Sequence, residues 1–157
     1  MLRGALTVLR PVADDDLPLL VGWHADPEVS RFWDDETYTV ESLRAELADD
    51  GVEPWVVEAD GEPVGFAQSW IDPTAPPGSG IDLFLIPSAR GRGLGPDAGR
   101  TLALDLLARG WDAVHVDPYL WNEAAVRAWR RAGFEPVEER APDEWRTQPW
   151  LLMRFVP

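Results

Sequence analysis

Arg90-Gly91-Arg92-Gly93-Leu94-Gly95 is the stretch that decides the fold. Residues 81–86 precede it as a mostly apolar run that reads as a buried strand, ended by Pro87. A helical pattern follows from about Pro96 to Arg109, and Pro96 suits a first turn, where no N–H is needed. Strand, glycine-dense loop and helix start together form an anion site. Glycines let the backbone approach, and free N–H groups at the helix start face negative oxygens. Arg90, Arg92 and Arg100 place three of the 14 basic residues here, which suits a ligand bearing linked phosphates. A Walker loop requires Gly-Lys-Ser/Thr, and the chain has no Lys. Gly93-Leu-Gly95-Pro-Asp-Ala98 fits the dinucleotide turn G-x-G-x-x-A, with Asp117 about where a ribose-binding acid belongs. Against that reading, Pro87 to Arg92 separate the turn from its strand.

Outward from the loop, the chain alternates helices and strands. A first strand is expected at residues 6–10, a helix from Asp14 to His24, and a helical turn or two within residues 28–33. Thr39 is a plausible N-cap for a helix with apolar Val40, Leu43 and Leu47. Strands at residues 55–59 and 64–71 flank Asp60-Gly61, a strong hairpin signal. Residues 72–79 read as a Pro-rich loop. After the central helix, residues 113–116 form a short strand. Asn122 caps a helix running to about Ala132, and Gly133 ends it. Strands near residues 135–139 and 150–155 complete one mixed α/β layer structure, a single domain over 1–157.

Composition narrows the chemistry. The absence of Cys excludes disulfides and thiolate metal sites. The two histidines, His24 and His115, lack metal-ligand spacing, so no metal is expected. No apolar run reaches membrane-spanning length and no signal-peptide pattern opens the chain, so a cytoplasmic protein without a membrane partner is expected. Formal net charge is −14. Residues 14–62 hold 16 Asp/Glu against 2 Arg, and the rest of the chain is balanced. Such a surface repels nucleic acid and attracts a small polycation; an acidic face that keeps the protein soluble is the other reading.

Arg90-Gly-Arg-Gly93-Leu-Gly95 also fits the pattern Q/R-x-x-G-x-G/A, with Leu83-Phe-Leu85-Ile-Pro87 ahead of it. About thirty residues later, Asn122-Glu-Ala124-Ala125-Val-Arg-Ala-Trp129-Arg-Arg-Ala-Gly133-Phe134 fits N-x-x-A-x-x-x-Y-x-x-x-G-F. Two motifs in order, with a helix and a strand between them, resemble the GCN5-related N-acetyltransferase (GNAT) superfamily. Glu62-Pro-Val-Gly-Phe-Ala-Gln-Ser-Trp70, Gly80-Ile-Asp82 and Asp117-Pro118 with Asn122 resemble its aminoglycoside 6'-N-acetyltransferases.

The resemblance implies a GNAT fold: a mixed, mostly antiparallel sheet of about seven strands flanked by helices, with a central β-bulge or splayed strand pair. It implies acetyl-coenzyme A as cosubstrate, bound by Arg90, Gly91, Arg92, Gly93, Leu94 and Gly95 at the pyrophosphate and by Leu85, Asn122 and Trp129 along the pantetheine arm. The Leu85 N–H becomes an oxyanion donor. By the same resemblance Trp33 contacts the acceptor, Asp82 binds or deprotonates its amine and so also serves catalysis, and Asp117 contacts the amino sugar. The implied activity is acetyl transfer to a primary amine of an aminoglycoside-like polycation, an antibiotic-resistance activity, by a monomer or homodimer. A siderophore or other small-metabolite N-acyltransferase is the enzyme alternative, and a non-catalytic acyl-coenzyme A-binding module is the other.

The chemistry sets two conditions. An alkyl ammonium has a pKa of about 10.4 and Asp about 3.9, so proton transfer to an unperturbed Asp82 is uphill by roughly 6 units, about 9 kcal/mol. Asp82 acts as anchor and water relay unless burial raises its pKa. Trp129 stands where the family has a Tyr general acid, and an indole N–H does not ionise usefully. Tyr119 is the nearby candidate for that proton.

Overall fold

Asp60 and Gly61 both adopt positive φ, 53° and 79°, the geometry of a tight two-residue hairpin turn. Their two strands anchor the sheet. A computed structural model of the chain describes residues 1–72 and 78–157. In order, its elements are β1 (Leu2–Arg3), β2 (Val8–Pro11), α1 (Leu17–Ala25), α2 (Pro27–Ser30), α3 (Val40–Leu47), β3 (Val52–Ala59), β4 (Glu62–Asp72) and β5 (Gly78–Leu85). There follow α4 (Leu94–Ala108), β6 (Val114–Val116), α5 (Glu123–Ala132), β7 (Phe134–Arg140) and β8 (Trp150–Phe155). The strands form one eight-stranded sheet in the order β1-β2-β3-β4-β5-β6-β8-β7. Every pairing is antiparallel except β5 with β6.

Alternation along the strands sends side chains to two cores. On one face Leu17 and Leu20 of α1 and Leu43 of α3 pack on Phe66 and Phe84. On the other, Ala98, Leu102 and Leu106 of α4 and Ala132 of α5 cover Ala67, Ile81 and Val114. Phe66 and Phe84 therefore face α1 and α3, and Ala67 and Ile81, one residue out of phase with them, face α4.

Most expected elements are present. Thr39 caps α3 reciprocally with Ser42. Asn122 caps α5 through the Ala125 N–H, and Gly133 ends it with φ 110°. The sheet has eight strands where about seven are expected; β1, at two residues, is too short to carry a period. The first full strand runs 8–11 rather than 6–10. The central helix begins at Leu94, two residues before Pro96, because Gly93 in the left-handed region starts the turn early. The expected loop at 72–79 is shorter at both ends, since Asp72 ends β4 and Gly78 begins β5; residues 73–77 lie outside the described residues. The central irregularity is a splay. β4 and β5 pair without a register shift from Asp72↔Gly78 to Gly65↔Leu85, whereas β5 meets β6 only at Ser79↔Val114 and Gly80↔His115. Register shifts fall instead at Val57/Glu58 and Pro136/Glu138. Among the described residues no helix is long and apolar enough to cross a membrane, and no group of His, Cys, Asp or Glu is placed to hold a metal ion.

Candidate active site

The site begins with the splay. Ile86 N–H donates to Val64 O at 2.9 Å. Bonded and non-bonded pairs alternate along antiparallel strands, so Gly65↔Leu85 is a non-bonded pair. The Leu85 N–H and C=O consequently point away from β4, toward the side where β6 has diverged. The carbonyl is engaged by Arg90 Nε at 3.1 Å, whereas the N–H is directed at the gap.

The glycine loop adjoins that edge. A Cβ at Gly95 would sit 3.7 Å from Leu85 Cδ1 and 3.9 Å from Leu83 Cδ2. Gly91 and Gly93 have φ of 75° and 79°, which side chains resist, and Gly93 is the N-cap of α4. The first α4 turn is held from outside: Asp97 accepts from the N–H groups of Ala5, Leu6 and Thr7 and from Thr7 Oγ1, at 2.7–3.0 Å. The loop cations are not grouped as the sequence suggests. Arg90 also binds Glu28 O at 2.7 Å, and Arg92 pairs with Asp60 at 3.1 Å. Arg100 lies along α4, bonded to Ala132 O at 3.4 Å and 5.6 Å from the Phe155 ring, away from the helix start. The cation that does approach is Arg131 of α5, whose guanidinium lies 3.7 Å from the Cβ position of Gly93.

Beside the splay opens a cleft of about 1070 Å³ lined by Trp33, Asp82, Asp117, Tyr119, Asn122 and Trp129 among others. It thus gathers side chains separated by almost a hundred positions. Asp82 shares one face of β5 with Gly80 and Phe84, and Gln68 stands directly opposite on β4. Gln68 Nε2 donates to Asp82 Oδ2 at 3.0 Å, and the Trp70 indole supplies another hydrogen bond. The Trp70 ring lies on Gly80, where a Cβ would fall 2.1 Å from it. Gly80 is therefore the residue that lets the indole reach Asp82. Burial, then the charge of Asp117, push the Asp82 carboxyl up to about 7 against the opposing pull of Gln68, Arg146 and Trp70. Burial raises Asp117 as well, against the attraction of Arg146.

Arg146, from the segment between β7 and β8, is the residue the sequence reading missed. Its Nε donates to Asp117 Oδ2 at 2.6 Å, and its guanidinium lies 4.1 Å over the Trp150 ring. No spacing pattern joins positions 117 and 146; their meeting follows from β8 pairing with β6.

The remaining residues fall on two walls. Trp33 packs edge-on against His24, Phe66 and Phe84 at 5.4–6.0 Å and still lines the cleft, so it belongs to both core and site. Glu36, Glu46 and Asp49 bring the acidic N-terminal third onto this wall. Tyr119 donates to Asp34 Oδ1 at 2.6 Å and accepts from Thr147 N–H at 3.2 Å. Burial and Asp34 raise its pKa, making it a weaker acid. Through Asp34 and Thr147, Tyr119 links the two walls of the cleft. Trp121 stacks on Phe32 at 5.7 Å and on Tyr119 at 6.3 Å, extending the link. Trp129 lies in the cleft wall over Gly99, where a Cβ would fall 2.6 Å from its ring, and meets Phe134 edge-on at 5.1 Å.

The arrangement resembles that of known proteins. The family model for the acetyltransferase (GNAT) domain matches residues 12–141. The chain is 30% identical over 147 residues to an aminoglycoside N(6')-acetyltransferase type 1 of Klebsiella pneumoniae, covering 81% of this chain and 73% of that protein. The solved aminoglycoside acetyltransferase AAC(6')-Ib, in complex with coenzyme A and kanamycin, matches with a TM-score of 0.81 at 27% identity, over 94% of this chain and 93% of that one. A spermidine N-acetyltransferase from Vibrio cholerae matches with a TM-score of 0.79 at 17% identity, over 96% of this chain and 95% of that one, a likeness of fold.

Proposed function

The chain belongs to the GNAT acetyltransferase family, and from that premise we propose that it moves acetyl from acetyl-coenzyme A to a primary amine of an aminoglycoside-like polycation. The observation that carries this reading is Asp82: a carboxylate with a raised pKa, set in an acid-lined cleft beside a strand edge that carries a free-facing N–H.

Acetyl-coenzyme A supplies the activated acyl carbon. The residues fit it: positive-φ glycines, the start of α4 and nearby Arg131 suit a pyrophosphate, while the open β5 edge and Asn122 suit an amide-bearing arm. Asn122 keeps its side-chain N–H₂ available while its Oδ1 caps α5. The Leu85 N–H is aimed to stabilise negative charge developing on a carbonyl oxygen.

Asp82 holds the acceptor ammonium and takes its proton as nitrogen attacks. With the carboxyl at about 7, transfer from an alkyl ammonium near 10.4 is uphill by about 3 units, about 5 kcal/mol rather than 9. An amine beside electron-withdrawing sugar oxygens narrows the gap further. Glu36, Glu46 and Asp49 give the distal ammonium groups a negative wall, and Trp33 gives a ring face. Trp129 offers no ionisable proton, so in this reading the thiol leaves as a thiolate.

Thiol release from acetyl-coenzyme A with a kanamycin-like panel tests the proposal. Turnover with 6'-amino sugars supports it. Turnover only with hydroxamate precursors assigns the chain to siderophore chemistry, and tight coenzyme A binding without release from any amine makes it a binding module.

A further inference from the structure

The cleft brings two carboxylates and a cation together. Asp82 comes from β5 and Asp117 from just past β6; Arg146 comes from the segment between β7 and β8. Arg146 Nε meets Asp117 Oδ2 at 2.6 Å, and both side chains are 21% exposed. Such a pair is neither a screened surface contact nor a sealed one. Arg146 is fixed on three sides: by Asp117, by Asp143 at 3.2 Å, and by the Trp150 ring at 4.1 Å. It is therefore a built cation paired to a carboxylate of the site; Arg140 and Arg154 also line the cleft.

Resting on the acetyltransferase reading, we propose that Arg146 is a positioning and specificity residue. Its guanidinium acts as a tethered counter-ion that neutralises Asp117, leaving Asp82 as the carboxylate of this pair that receives the reacting ammonium. The site then takes one ammonium beside Asp82, with a hydroxyl or other neutral donor toward the neutralised Asp117. A second adjacent ammonium meets the charge of Arg146 and is disfavoured. The distal ammonium groups of a polycation are left to the outer wall.

The charged and titratable neighbours fix the expected sign. Asp82 faces Gln68 and Trp70 on β4, Asp117 just past β6, and Arg146; Asp117 faces Arg146 and the charge of Asp143, and His115, Arg140 and Arg154 line the same cleft. Asp82 must be ionised to work, so activity is present above its pKa and lost below it. Arg146 pulls that pKa down. Removing the cation therefore moves the acid limb of kcat/KM to higher pH, on the order of one unit for the loss of one nearby opposite charge.

The test compares Arg146→Gln and Arg146→Lys with the wild-type protein. The Gln variant is expected to shift the acid limb upward by about one unit, a roughly tenfold loss of kcat/KM below the limb. It is also expected to narrow the preference for mono-amino over vicinal diamino acceptors. The Lys variant keeps the charge but not the planar stack on Trp150, and is expected to hold the limb near its wild-type position. Equal behaviour of Gln and Lys, with unshifted limbs and a lowered Tm, overturns the proposal and leaves Arg146 a loop anchor. Carboxylate ¹³C titration of the acceptor-free proteins reads the same shift without turnover. If no amine is acetylated, the functional reading fails, while the titration still decides the role of Arg146.

Discussion

Replacing Asp82 by Asn separates catalysis from folding and from cofactor binding. The carboxylate sits at about 7, close to where a general base works best at neutral pH. Relative to an unperturbed Asp, its environment removes about 3 units, or about 4 kcal/mol, from the proton-transfer step. Asn cannot accept the proton, so kcat is expected to fall by about 10²–10⁴-fold. Coenzyme A affinity is expected to hold, because the glycine loop and the Leu85 edge do not include Asp82. The acid limb near pH 7 vanishes with the carboxyl. Stability moves the opposite way. A carboxyl with a raised folded pKa loses stability as pH climbs from its unfolded value toward 7, and the cost is complete above 7. Asp82→Asn therefore raises Tm at pH 8 and has little such effect near pH 4. Each 1 kcal/mol recovered is worth about 2–4 °C. Steady-state thiol release, calorimetry with coenzyme A and thermal melts at both pH values check the set. Equal loss of turnover and cofactor affinity, or a surviving acid limb, refutes the reasoning.

Three further outcomes are expected. Gly93→Val forces a β-branched residue to φ 79° at the α4 N-cap, so coenzyme A affinity measured by calorimetry falls at least tenfold, about 1.4 kcal/mol. Tyr119→Phe removes the hydrogen bond to Asp34 between the two walls; the acceptor KM rises about fivefold for a bond worth about 1 kcal/mol, and kcat changes less. His24 is 1% exposed, ringed by Trp33, Tyr38, Phe66 and Phe84, and lowered by burial to about 4. The unfolded chain takes its proton near 6.5, so stability falls by about 3 kcal/mol between pH 6.5 and 4; His24→Phe removes this loss, flattening Tm against pH.

The sequence by itself determined the elements and the chemistry available. Local signals carry over distances of a few residues: Asp60-Gly61 for a hairpin, Thr39 and Asn122 for caps, Gly133 for a helix end, and Arg90 to Gly95 for a glycine-rich turn into a helix. Each depends on backbone angles and nearby hydrogen bonds, which the neighbouring residues dictate. Asp82, Asp117 and Trp33 were legible as candidates because their motifs are local too. Only the tertiary structure decided what those residues meet. Gln68 stands opposite Asp82 because of the β4–β5 register, and Arg146 reaches Asp117 because β8 returns beside β6. Arg100, near the loop in sequence, turns toward Gly133, while distant Arg131 approaches the loop. Tyr119, a free phenol on paper, is tied to Asp34. The working pKa of Asp82 belongs to this second category. It comes from burial and from charges brought in by other strands, and no pattern along the chain encodes the distance between them.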